Sequence, residues 1–361
     1  MRITSNMLIA NSIWNISNNM ERLDKAQERM ATQSKIQLPS DDPQVATQAI
    51  KYRNYVANVE QYQKNVDDAT SWMQVTDGAL DDLGSIIRRL KELTVQASNT
   101  ATQSATDQQA IKAEVTQLKG NVIQLMNSSY AGRYVFGGYN TDQEPFKVTP
   151  ESINGTTVDK VMFKDKYLDL GGPVPATITD ADYQSFCETQ ANAGQIYQSA
   201  GSQSIKYNIG FSNDIAVNVE GQDVIGQGNG NNLFDTLDKL LLGLDGSTSY
   251  KTATITGTPP AVTATVDTTN FALTDILADL DNDLNRVLNI RADLGARMNY
   301  VNLTADRLSN DDITYTKLKS TNENVDVAQA SIDVSTSQAV YDASLTVGAK
   351  AMTKSLVDYL R

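Results

Sequence analysis

Apolar residues recur along this chain in alternating steps of four and three, the spacing of helices that bury one face. Ile9, Ile13, Ile16, Met20, Leu23, Gln27 and Met30 form the first such row, broken once by Gln27. Residues 3–20 carry no charged side chain yet are studded with Asn and Ser. Charges begin at Glu21 and mix in sign through Arg22, Asp24, Lys25, Glu28 and Arg29, as on a solvated helix face. The stretch from Val325 to Leu360 has the same character: Val325, Ala328, Ile332, Ala339, Ala343, Leu345, Ala349, Met352, Leu356, Tyr359 and Leu360 lie among small polar residues. Such helices are too apolar to stand free in water and too polar to span a membrane. They are suited to packing on several sides, which points to an assembly subunit rather than an enzyme.

Between these ends the first helix stops before Leu38-Pro39, and Ser40-Asp41-Asp42-Pro43 restarts it. Asp42 is an N-cap, with Pro43 at the first helical position. The two aspartates lack the further ligand that a metal site needs. Val45, Ala49, Tyr52, Val56, Val59, Gln63, Val66, Thr70 and Met73 then keep the heptad. After a phase adjustment near Gly78 it resumes with Leu80, Leu83, Ile87, Leu90, Thr94 and Ala97. A single helix of that length runs roughly 80 Å, the length of a coiled-coil rod. Ser98–Thr106 reads as a polar turn, and Asp107 opens a return helix through Ile111, Val115, Leu118, Val122 and Leu125.

The pattern changes at Tyr130. Tyr134-Val135-Phe136-Gly137-Gly138 is strand-like, and the sequence from about Pro145 to Asn270 has short alternating runs such as Ile215–Val219, bounded by Gly and Asp. One short helix is expected there, over Leu233–Leu242. The rod period returns with Leu273, Leu277, Leu280, Leu284, Val287, Arg291, Leu294, Met298, Val301, Ala305 and Leu308. A polar break at Lys317–Asn324 precedes the last helix. These readings predict a mainly α chain with an inserted β domain. Residues 1–42 and 320–361 are terminal core helices, 43–144 and 271–319 an antiparallel helical rod, and 145–270 a mostly β outer domain at the far end of that rod.

Composition narrows the chemistry. The net charge is −13, which argues against nucleic acid and against anionic membranes as partners. There is no histidine, so the commonest general base and metal ligand are both missing. Cys187 stands alone, so it reads as a small buried residue, with no internal disulfide or thiolate cluster possible. Asp279-Leu280-Asp281-Asn282-Asp283 mimics the start of a calcium loop, but Leu284 stands where the glycine belongs and Ile290 where the closing Glu belongs. These carboxylates read as an exposed helix face. Gly226-Gln227-Gly228-Asn229-Gly230 precedes a helix but has neither the lysine nor the spacing of a phosphate loop, so it reads as a flexible turn. No catalytic residue, cofactor or metal is predicted. No run approaches a membrane span, and Asn6, Asn11 and Asn15 interrupt any apolar core of a signal peptide.

Several motifs resemble one family. Arg2-Ile3-Thr4-Ser5-Asn6-Met7, the uncharged helix and Leu38-Pro39-Ser40-Asp41-Asp42-Pro43 are similar to the N-terminal signature of the bacterial flagellin superfamily. Leu294-Gly295-Ala296-Arg297-Met298-Asn299 resembles its C-terminal rod motif. Gly132–Tyr139 with Pro145-Phe146, Val217–Gly221, Asn232–Leu237 and Ser355–Leu360 resemble the branch found at the junction of hook and filament. Pro39 departs from the small or basic residue usual there. The resemblance implies terminal helices in the inner core of a tube, a rod layer and an outward β domain. It implies a ring of identical copies, the first hook-associated protein on one side, flagellin on the other, and a cytosolic export chaperone on the C-terminal helix. It also implies type III export to the extracellular flagellum without a cleaved signal peptide. A filament flagellin is the nearest alternative; a ligand- or glycan-binding module in 145–270 is the more distant one.

Overall fold

The computed structural model describes residues 2–99, 104–198, 201, 203–211, 213–228 and 231–352. The helices are α1 (Arg2–Thr32), α2 (Pro43–Ser98), α3 (Ala105–Met126), α4 (Asp180–Asn192), α5 (Gly221–Ile225), α6 (Leu233–Leu244), α7 (Asp275–Glu323) and α8 (Val327–Met352). The strands are β1 (Ser129–Tyr130), β2 (Arg133–Tyr134), β3 (Phe146–Ile153), β4 (Thr156–Phe163), β5 (Lys166–Tyr167), β6 (Val174–Pro175), β7 (Lys206–Gly210), β8 (Asn213–Ala216), β9 (Ser249–Thr256) and β10 (Thr263–Asn270). The fold is mainly α with a β-rich middle. The chain divides into two compact units, Met1–Gln61 with Arg307–Arg361, and Tyr62–Asp306.

In the first unit, both aspartates after α1 are committed to the backbone. Asp42 Oδ1 accepts the N–H groups of Gln44 and Val45 at 3.0 and 3.1 Å, capping α2 as expected. Asp41 Oδ2 accepts those of Gln37 and Leu38, which holds its carboxyl below the usual aspartate range. Asp326 caps α8 by accepting from Ala328 and Gln329. The start of α2 and the end of α7 run antiparallel: Tyr55 stacks on Tyr315 with centroids 5.1 Å apart, and Arg53 grips Glu323 through two 2.8 Å bonds. The polar break expected at Lys317–Asn324 does not form. Helix α7 continues to Glu323, because Arg53 binds the Glu323 side chain and Asn322 donates to the carbonyl of Val45. The break is confined to the residues between α7 and α8. There the two linkers bridge each other, with Lys35 N–H donating to Glu323 O (2.7 Å) and Val325 N–H to Gln33 O (3.0 Å).

In the second unit, α2 and α7 again run antiparallel, with Arg291 bound to Asp77 and Asp81 and Lys91 to Asp281. In this unit the buried seam of α2 passes through Val66, Met73, Leu80, Ile87 and Thr94 without interruption. No phase adjustment occurs at Gly78, which is exposed; the second column shifts to Ala69, Thr76, Leu83 and Leu90 instead. In α7 the column Leu280, Val287, Leu294, Val301 and Leu308 is buried as expected, but its companions are Ile276, Asp283 and Thr304, one residue before the predicted Leu277, Leu284 and Ala305. Asp283 therefore goes inside rather than into solvent. It accepts from the Thr236 hydroxyl of α6 at 3.0 Å and pairs with Arg286 at 2.8 Å. Helix α3 starts two residues before Asp107: Ser104 caps it, and Asp107 closes a capping box from the third position.

The β region forms two three-stranded sheets, β3-β4-β5 and β10-β9-β6, and two antiparallel pairs, β1-β2 and β7-β8. Its core gathers Tyr167, Leu170, Val174, Tyr183, Cys187, Ala253 and Ala264. Helix α4 was not expected here. Thr179 caps it, and Tyr183, Cys187 and Ala191 at helical spacing are buried among the strands. The strand-like run at Tyr134–Gly138 contributes only Tyr134 to a strand; Val135 and Phe136 are fully buried plugs. Of Ile215–Val219, only the first two residues are in β8.

Candidate assembly interface

Helices α1 and α8 pair antiparallel in the first unit. The seam positions on α1 are Ile9, Ser12, Ile16, Asn19, Leu23 and Ala26, with Asn18 half-buried beside them; on α8 they are Ala330, Val334, Ser337, Tyr341, Ser344 and Gly348. Both sets alternate by three and four, so each helix offers one narrow seam to the other. Gly348 and Ile16 meet closely in this seam, since a Cβ added at Gly348 would lie 2.8 Å from Ile16 Cδ1.

The other faces of both helices also carry large apolar side chains, set among polar ones. Met7, Ile13, Trp14 and Met20 are each more than half exposed, as are Val327, Ile332 and Val347; Val340 and Leu345 are nearly so. At about 100° per residue, Ile13 and Met20 flank the α1 seam, while Met7 and Trp14 fall opposite it. On α8, Ile332, Ala328 and Ala339 fall opposite the seam, with Val340 and Val347 on one flank and Leu345 on the other. Helix α8 carries only Asp333, Asp342 and Lys350 as charges. Large apolar side chains left in water on a helix favour burial against a further partner.

The predicted surface residues divide accordingly. Ile9, Ile16 and Leu23 lie in the seam between α1 and α8. Ile13, Met20, Met30, Ala328, Ile332, Ala339, Leu345 and Ala349 face outward. Val325 is in the linker rather than on a helix, half-buried, with its N–H on Gln33. Met352 ends α8, while Leu356, Tyr359 and Leu360 lie outside the described residues. The row read from the sequence thus combined two surfaces, one used within the chain and one left open. Trp14, Met7, Val340 and Val347 were missed; their signal was the lack of charge on every face, which a search for one seam does not use.

Charge enters this pair at the end of α1. Glu21 and Lys25 form an exposed pair at 2.9 Å, which lowers the carboxyl and raises the ammonium pKa through their shared hydrogen bond. Elsewhere, Cys187 is fully buried, and desolvation lifts its thiol to about 12, so it is no nucleophile. Among the described residues no group of three Asp, Glu or Cys is placed to hold a metal. Gly226 has φ +89° and abuts Asn231 and Arg286, a turn fixed by Arg286 binding Ile225 O and Asn231 Oδ1. No described helix is long and apolar enough to cross a membrane.

The N-terminal helical region of bacterial flagellin matches residues 3–141, and the C-terminal helical region matches residues 277–360. These are the segments that hold α1, α2, α3, α7 and α8. The chain belongs to the bacterial flagellin family. Its role in that family is structural, not enzymatic. Flagellar hook-associated protein 3 of Salmonella typhimurium is 26% identical over 327 residues, 89% of this flagellin-family chain and 87% of that protein. Flagellin of Bacillus subtilis is 29% identical over 212 residues, 54% of this chain and 70% of its own length. A solved flagellar hook-associated protein structure from Vibrio parahaemolyticus shares the fold, with a TM-score of 0.55 at 14% identity over 79% of this chain and 100% of that one.

Proposed function

We propose that this protein is a structural component of the bacterial flagellum that joins the hook, through the first hook-associated protein, to the flagellin filament. Its copies form a ring, held by the outward faces of α1 and α8. The observation that carries this reading is that both helices expose large apolar side chains away from the one seam each of them covers. Asn and Ser suit this interior, since they cost less to desolvate than charges and can hydrogen-bond across helices. The same faces would need shielding before assembly, which supports a cytosolic chaperone on the C-terminal helix and export of the chain by the flagellar type III apparatus. The similarity to hook-associated protein 3 runs across the middle of the chain as well as both ends, which favours a junction protein over a filament flagellin.

A deletion strain tests this. Loss of a junction protein leaves complete hooks and flagellin shed into the medium, and the returned gene stops the shedding. Capped hooks with no filament protein in the medium would instead make it the flagellin.

A further inference from the structure

Six of the charges on α1 form two rows. Arg22, Lys25 and Arg29 follow one another at i, i+3 and i+7, and Glu21, Asp24 and Glu28 repeat the same spacing one residue earlier. One residue is about 100° of helical turn, so the rows lie side by side on adjacent faces. All six side chains are exposed. The basic row forms one wall of a groove of about 420 Å³ between α1 and α8, lined also by Ala26, Val325, Ala330, Asp333, Thr336 and Ser337. Three cations and one carboxylate, Asp333, thus line the groove among small apolar and hydroxyl side chains, and Lys25 also holds Glu21 at 2.9 Å. We propose that this groove receives the acidic row Glu21, Asp24 and Glu28 of a second copy of the same chain, in a head-to-tail contact between neighbours.

The inference rests on the reading of a ring of identical copies and specifies one contact in it. Charge complementarity selects the occupant. A chain of net charge −13 repels its copies, and this groove is a concentration of positive charge on the terminal helices. The matching acidic row is on the same helix. Each copy therefore offers one groove and one row, which is a heterologous contact able to close into a ring. The spacings match in sequence order, three residues then four, when two α1 helices run parallel, as they do where the axis relating the neighbours runs along the helices. The intrachain pair of Lys25 with Glu21 does not block this, because both side chains are more than half exposed and such surface pairs exchange partners at little cost.

Two variants in the deletion strain test the contact: Arg22→Glu with Arg29→Glu, and Asp24→Lys with Glu28→Lys. Each alone is expected to reduce filaments per cell at least about tenfold. Expressed together they restore them, because the native acidic row of the first fits the native groove of the second, and the reversed row of the second fits the reversed groove of the first. Either variant alone building wild-type numbers overturns the contact. So does a mixture no better than its parts. A defect only in the arginine variant overturns it too, since the groove would then serve another acidic partner. The wild-type gene returned to the same strain reads the junction function separately: if it fails to retain flagellin, that reading falls, whereas its success beside a failed mixture removes only this contact.

Discussion

Gly348 stands so close to Ile16 that an added Cβ would come within 2.8 Å of the isoleucine Cδ1. The atom it meets is the tip of a flexible side chain, so a methyl is absorbed by a rotamer change and gains about 1 kcal/mol of helix propensity over glycine. Gly348→Ala is expected to be near neutral. Gly348→Leu forces the helices apart and costs about 1–3 kcal/mol. Limited proteolysis checks this: the leucine variant should lose residues 1–35 faster than wild type, and the alanine variant should not.

Trp14 and Ile332 lie on opposite-facing surfaces from their shared seam, both more than half exposed. Replacing either by Asp should change the unfolding free energy of the free subunit by less than about 0.5 kcal/mol. Incorporation at a hook tip should nevertheless stop, as it should for Leu356→Asp. A variant that unfolds like wild type and still joins the hook would remove that face from the interface. In the wild type, residues 1–35 should be cleaved more slowly after assembly than in the free subunit, because the α1–α8 pair alone buries too little surface to offset much of its ordering entropy.

Glu323 is nine-tenths buried, and Arg53 holds it through two 2.8 Å bonds. Arg53→Ala leaves a buried carboxylate without its cation. Arg53 is itself 61% exposed, so water replaces part of the lost interaction, and the expected cost is about 1–2 kcal/mol rather than that of a fully buried pair. Urea unfolding of Arg53→Ala, Glu323→Gln and the double variant should show a coupling of that order, and additive effects would argue against it.

The long helices were legible because their seams repeat every seven residues, and the column Leu280, Val287, Leu294, Val301 and Leu308 stands as read. The second column was not, because a heptad row can be completed three or four residues on, and only the neighbours decide which. In α7 that choice buries Asp283 rather than Leu284, which no hydrophobicity pattern would select. Helix α4 was hidden by its polar sequence, since besides the buried Tyr183, Cys187 and Ala191 only the half-buried Phe186 packs on the core. At the terminal helices the uncharged stretch was plain, but apolar residues on every face allow several seams, and the pairing of Ile16 with Gly348 depends on a glycine, which carries no hydrophobic signal.

Asp283 also sets a pH dependence. Burial raises its carboxyl pKa, outweighing the Arg286 guanidinium and the Thr236 hydroxyl, which act in the opposite direction. The folded state then keeps a proton at pH values where the unfolded chain has released it. By linkage, stability is greatest below the unfolded pKa and falls as pH rises through the raised folded value. Asp283→Asn cannot ionise and can still accept from Thr236. The difference in unfolding free energy, wild type minus Asp283→Asn, should therefore decline with rising pH across that window and level off above it. A difference that rises with pH would show the ion pair to dominate.

The bridge between Gln33–Lys35 and Glu323–Val325 has a consequence for error control. It staples the end of α1 to the start of α8, so neither helix is placed without the other. A copy damaged at either helix exposes the seam of both and spoils the surface it presents to its neighbours. Under the proposed assembly, joining would then require two conditions at once, so a nicked subunit would be rejected without any separate inspection step.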